Sequence, residues 1–294
     1  MQARQHHQPE VQAFLQKHLG SRAWQLTLPH GSGHETYYAH AGEQAYFIKL
    51  GVQVARVQAL GELGLTPPIL ASGALQDGTT IIVQPCIQGR NPSRADYRQH
   101  LEQFAAAIHT LHYSPQVQRL LPPVASQSCR AAGRRALDEI RGRWEIFHAQ
   151  VPQVSGFIDE GLDSLAGQIE SFQGRGLVAS HNDICNANWL LTPGGQLYLI
   201  DLESMALDDP ALDIGATLWW YYPPALRPRF LEILGYANDE AFQSRMQVRM
   251  TLHCLSILLP RRHGFQHFDP AEFAASLADF KASLAGQQNP QGYL

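Results

Sequence analysis

The chain has 294 residues, 45% of them hydrophobic, enough to bury one large core or two modest ones and too apolar for a disordered chain. A formal net charge of −4 and a pI near 6.4 argue against nucleic acid as a main partner. No apolar run is long enough to span a bilayer, so no membrane partner is expected. Met1 to Gln8 is polar and lacks the apolar stretch of a secretory signal. Cys86, Cys129, Cys185 and Cys254 are far apart with no C-x-x-C, which fits a reducing cytoplasm. The fourteen histidines show no metal-ligand spacing.

Pro9 to Leu19 reads as a short amphipathic helix stopped by Gly20. Trp24 to Leu28 alternates as a strand, and His30 to Thr36, with Gly31-Ser32-Gly33, reads as a turn. Tyr37 to His40 and Ala45 to Leu50 complete a meander whose last strand carries Lys49. Val52 to Leu63 is the next expected helix, followed by strands at Ile69–Ala74 and Thr79–Val83 around Gln76-Asp77-Gly78. Val83 to Gly89 then forms a connection. From Ser93 onward the pattern is helical: Leu101, Phe104, Ile108 and Leu111 make one buried stripe, and further helices are predicted near 128–149 and 156–173. His112, at the end of the first of these, reads as a packed structural histidine.

The most informative stretch runs from Val178 to Asp213. An apolar run gives way to a polar loop with His181, Asp183 and Asn188; Trp189-Leu190-Leu191 resumes as a strand. Thr192-Pro193-Gly194-Gly195 turns, and Leu197-Tyr198-Leu199-Ile200 ends directly at Asp201. Taken singly, each aspartate reads equally well as a turn or helix-cap residue. Taken together, an Asp with an Asn five positions on and a second Asp at a strand end supply what phosphoryl transfer needs. Those needs are a group for the attacking hydroxyl and oxygen ligands for Mg²⁺.

His181-x-Asp183-x-x-x-x-Asn188, then Ile200-Asp201-Leu202-Glu203 and the tail Asp209-Pro210-x-x-Asp213, resembles the aminoglycoside phosphotransferase and choline kinase superfamily. The resemblance implies an α+β, protein-kinase-like two-lobed fold with a small β-rich N-lobe (residues 1–88) and a larger helical C-lobe (89–294). It implies ATP and Mg²⁺ as cofactors, with Asp183 as catalytic residue and His181 supporting its loop. Asn188 and Asp201 would hold the metal, and Asp213 would brace the loop from the next helix. Ser32 and Gly33 would meet phosphate, Lys49 would anchor the α- and β-phosphates, and the segment with Gln84 and Cys86 would receive the adenine edge. One departure stands out: kinases hold the lysine with a glutamate on the following helix, and here no acid lies between Lys49 and Glu62. Gln53 or Gln58 would have to stand in. That gap keeps a nucleotide-binding pseudokinase of the same fold as the competing expectation.

Only twelve positions separate Asp201 from Asp213, with no A-P-E, so a small-molecule hydroxyl acceptor is expected rather than a protein. Its identity stays open. Trp219-Trp220-Tyr221-Tyr222 would suit a quaternary ammonium, although four consecutive helical residues point in all directions and most should pack in the core. Glu203, Asp208 and Asp209 would suit a polycation; Arg261-Arg262-His263 would suit a phosphate or carboxylate. Oligomeric state is unknown from sequence.

Overall fold

A computed structural model describes residues 7–20, 22–29, 35–259 and 270–293. The chain opens with α1 (Gln8–Leu19), then β1 (Gln25–Thr27), β2 (Thr36–Ala41), β3 (Gln44–Leu50), α2 (Val54–Glu62), β4 (Ala71–Ala74) and β5 (Thr80–Pro85). Helices α3 (Arg94–Gln99), α4 (Leu101–His112), α5 (Pro115–Arg119), α6 (Cys129–Phe147) and α7 (Pro152–Glu170) follow. Next come β6 (Val178–Ser180), β7 (Trp189–Leu191), β8 (Leu197–Leu199) and β9 (Ala206–Asp208). The chain continues through α8 (Ala211–Tyr221), α9 (Arg227–Leu234), α10 (Glu240–Leu258) and α11 (Pro270–Leu284). Two compact units result. One gathers the chain up to Asn91 together with Asn188–Glu203; the other gathers Pro92–Ala187 with the chain from Ser204 onward.

The first unit is built on an antiparallel sheet of order β1-β2-β3-β5-β4. Strand residues alternate between faces, and here the alternation separates core from cavity. Tyr37, Ala39, Ile48, Leu50, Ile81 and Val83 lie on one face and pack with Val11 and Leu15 of α1 and with Trp24. At the pairs Thr36↔Lys49, Tyr38↔Phe47, Lys49↔Ile82 and Phe47↔Gln84 the side chains stand on the other face. The hairpin β7–β8 belongs to this unit: Trp189 pairs with Leu199, and Gly195 takes the left-handed φ of 82° that its turn demands. Arg90 and Leu191 exchange backbone hydrogen bonds of 3.0 and 2.8 Å, and Leu199 N–H donates to the Leu65 carbonyl.

The second unit is helical. Leu137, Ile140, Trp144 and Phe147 of α6 recur at three- and four-residue steps, as do Ile158, Leu162, Leu165 and Ile169 of α7, and both stripes meet α10 and Phe280 of α11 in one core. Helix α7 starts at Pro152, four residues before the expected 156, because Pro152 occupies a first-turn position where its missing N–H costs nothing. β9, paired with β6, was not anticipated; three residues are too few to show a period. Among the described residues, no helix is long and apolar enough to cross a membrane.

Candidate functional site

The open face of the sheet floors a cavity of about 540 Å³ in the first unit. Thr36, Tyr38, Phe47, Lys49, Ile82 and Gln84 line it from the strands, Gln53 and Arg56 from the start of α2, and Asp201, Leu202 and Glu203 from beyond β8. Lys49 Nζ lies 3.4 Å from Glu203 Oε1. The acid missing from the helix after Lys49 is thus supplied from the end of the hairpin. Arg56 occupies that helix instead: it is 8% exposed, and its Nη1 donates to the Leu202 carbonyl at 3.0 Å, fixing the backbone beside Glu203. Burial draws the Arg56 pKa below the ordinary arginine value, against the opposing pull of Glu203.

The strand register decides which backbone groups face the cavity beyond β5. Cys86 N–H donates to the Ala45 carbonyl at 3.1 Å, which makes Phe47–Gln84 and Lys49–Ile82 the hydrogen-bonded pairs of β3–β5 and turns the Pro85 carbonyl away from β3. On that side β4 ends its pairing at Val83. The Pro85 carbonyl and the Ile87 N–H have no partner among the described residues. Cys86 therefore lines the cavity with its side chain, and its amide is engaged. Gln84 is buried, with Nε2 donating to the Pro67 carbonyl.

Asn188 and Asp201 flank the base of the hairpin, where Ile200 N–H donates to the Asn188 carbonyl at 2.9 Å. Asp201 takes a φ of 58°, a left-handed conformation that short polar side chains tolerate better than most. This turn puts Asp201 and Glu203 on the cavity, with Leu202 buried between them.

In the second unit, Asp213 is fully buried in the first turn of α8. Its Oδ2 accepts from His181 N–H at 2.8 Å and from His112 Nε2 at 3.1 Å, and its Oδ1 accepts from Asn182 N–H at 2.9 Å. Burial alone would raise this carboxyl, but the His112 hydrogen bond and charge and the His181 amide bring it below the ordinary carboxylate value. One carboxylate thereby pins the two residues preceding Asp183. Asn182 sits at φ 64°, and its side-chain amide donates to the Ser204 carbonyl at 3.1 Å. Past Asp183, Tyr221 accepts from Asn186 N–H at 2.7 Å through its hydroxyl oxygen and stacks on Tyr97 at 3.9 Å between centroids. Both ends of the Asp183 loop are thus tied to α8.

Sequence reasoning missed Glu203 as the partner of Lys49, Arg56 as a buried cation and Tyr221 as a loop tether. It also missed His253 of α10, whose pKa is lowered by burial against the charges of Asp183 and Asp213. His112 is packed as expected, and Trp219, Tyr221 and Tyr222 are core residues. Ser32 and Gly33, and likewise Arg261-Arg262-His263, lie outside the described residues.

Solved structures with this fold include the GDP complex of wild-type aminoglycoside 2′-phosphotransferase-IIIa (14% identity, TM-score 0.65, covering 95% of this chain and 98% of that one). Choline kinase LicA from Streptococcus pneumoniae is similar at 15% identity and TM-score 0.62, over 96% of this chain and 99% of that one. Spectinomycin phosphotransferase APH(9)-Ia, in complex with ADP and spectinomycin, is similar at 17% identity and TM-score 0.60, over 97% and 95%. They bear out the expected protein-kinase-like α+β fold, with its antiparallel sheet and its helical part. Residues 24–248 match the model of the phosphotransferase enzyme family, APH, a span that holds Lys49, the Asp183 loop, the hairpin and Asp213. The chain belongs to that phosphotransferase family.

Proposed function

We propose that the protein transfers the γ-phosphate of ATP to a hydroxyl of a small molecule. The observation that carries this reading is the cavity of the first unit, whose floor presents Lys49 and whose margin presents Asp201 and Glu203. Lys49 receives the α- and β-phosphates, and Glu203 keeps its ammonium group in place at 3.4 Å. The Pro85 carbonyl and the Ile87 N–H offer an acceptor and a donor to the base. Asn188 and Asp201 are hard oxygen donors at one end of the hairpin, and they fit Mg²⁺, which binds through one or two side-chain oxygens plus substrate phosphates. Held there, the ion would supply positive charge against the negative charge that develops on the transferring phosphoryl group. Asp183 orients the acceptor hydroxyl and takes its proton, on a loop that Asp213 and Tyr221 hold from both sides.

The charge pattern supports an active enzyme over a pseudokinase of the same fold, since Lys49 has its counter-ion despite the missing helix glutamate. A small acceptor follows from the short path between Asp201 and Asp213. Relatives of this fold act on aminoglycosides or choline, and we propose an acceptor of aminoglycoside, choline or amino-alcohol type. Trp219, Tyr221 and Tyr222 are spent on packing, which argues against a cation cage there. We place the reaction in the cytoplasm, where ATP and four free thiols coexist.

The test is ADP release from Mg·ATP across a panel of aminoglycosides, choline, ethanolamine and other amino alcohols. Asp183→Ala should lower the acceptor-stimulated rate at least about 100-fold and leave ATP affinity within about twofold. Equal turnover in the variant would sink the assignment.

A further inference from the structure

Gln84 is held in one amide orientation on the floor of the cavity. A carbonyl can only accept, so the hydrogen bond to Pro67 fixes the NH₂ end of the carboxamide there and leaves Oε1 as its other end. No donor among the described residues pairs with Oε1, although the residue is only 6% exposed and lines the cavity. The next residue contributes a second acceptor. The Pro85 carbonyl lies in the plane of the sheet and points past the end of β4, at the edge of the floor on which Gln84 stands. Two consecutive residues that line the cavity, Gln84 and Pro85, therefore each bring an unpaired carbonyl-type acceptor, and the Ile87 N–H follows two residues on.

Resting on the nucleotide-binding reading above, we infer that Gln84 selects the base of the nucleotide, favouring a 6-aminopurine over a 6-oxopurine. A 6-amino group has two N–H donors, one for the Pro85 carbonyl and one for Gln84 Oε1, while N1 accepts from Ile87 N–H. A 6-oxo group in the same place sets an oxygen against two acceptors and leaves both unpaired. A buried site made to hydrogen-bond one group rejects the analogue that cannot reciprocate.

The experiment is titration of the full-length protein, with Mg²⁺ present, by ATP, purine riboside triphosphate and ITP, which carry an amino group, hydrogen or oxygen at position 6, ITP also bearing a hydrogen on N1 that turns this acceptor into a donor. ATP should bind at least about tenfold tighter than ITP, with the 6-hydrogen analogue between them. Gln84→Met, close in volume but without an acceptor of this strength, should cut the ATP-over-ITP ratio at least about threefold, the Pro85 carbonyl and Ile87 N–H keeping the remaining preference. Equal affinities in the unsubstituted protein, or an unchanged ratio in folded Gln84→Met, would overturn the base selection and leave nucleotide binding standing. Binding of none of the three overturns both. Where Gln84→Met does not fold, Gln84→Leu, which also lacks the acceptor, reads the same change in the ratio.

Discussion

Asp213 shows how much one side chain can organise. Its two oxygens take three hydrogen bonds in a fully buried position, from His181, Asn182 and His112. Asp213→Asn keeps the shape and points a donor at donors, so the variant should lose about 3 kcal/mol of stability, read from urea unfolding, together with most of its turnover. The pH dependence has a definite sign. The folded carboxyl lies below 3.8, so its contribution is fully present above that pH and is lost as pH falls through the lower folded value. The variant should lack this acid limb; an unchanged limb would assign it to other carboxylates. Asp183, Asn188, Asp201 and Asp213 stood out in the sequence because short chain distances link them. The Lys49–Glu203 pair was not legible. Its members are 154 positions apart, and no local period connects them. Arg56 was not singled out for the same reason, since only the folded chain reveals the Leu202 carbonyl it reaches.

Among elements, α8 and α10 approach so closely that a side chain at Gly215 has no room: a Cβ there would lie 2.7 Å from the Met246 carbonyl oxygen. Alanine is the better helix former by about 1 kcal/mol, yet the neighbour here is backbone, which cannot rotate away. Gly215→Ala should therefore destabilise by about 1–3 kcal/mol, with a lower melting temperature. Gly167→Ala in α7 is the matched control, because nothing lies within 4 Å of the new Cβ. It should melt higher. A higher melting temperature for Gly215→Ala as well would deny the close contact. Amphipathic periods exposed α4, α6 and α7 in the sequence, since each presents a single apolar stripe to a core. Helix α8 is buried nearly all round, and its sequence shows no stripe from which its packing partner could be read. The strand alternation of β2, β3 and β5 encoded more than strands, for it already sorted core residues from cavity residues.

For the whole molecule, composition changes near residue 88, from strands to helices, while contacts add Asn188–Glu203 to the sheet unit. That unit is therefore discontinuous in sequence. Its later segment brings Trp189, Leu191, Leu197 and Leu199, all buried, and closes the cavity with Leu190, Asp201, Leu202 and Glu203. It is also tied to the earlier one through Arg90–Leu191 and Leu65–Leu199 backbone hydrogen bonds. A fragment ending at Asn91 retains Lys49, Gln84 and every strand of the large sheet, so on strand content alone it would fold and bind. It loses the counter-ion of Lys49, the carbonyl that Arg56 reaches and the Leu199 N–H that donates to the Leu65 carbonyl, leaving a buried cation unpaired. The fragment should give a poorly dispersed amide spectrum and bind ATP at least about tenfold more weakly than the full chain. Residues 188–203 joined to it through a flexible linker should restore dispersion and part of the affinity. A well-dispersed spectrum from the fragment alone, with ATP affinity equal to that of the full chain, would show that the hairpin contributes neither to the fold of this unit nor to its cavity.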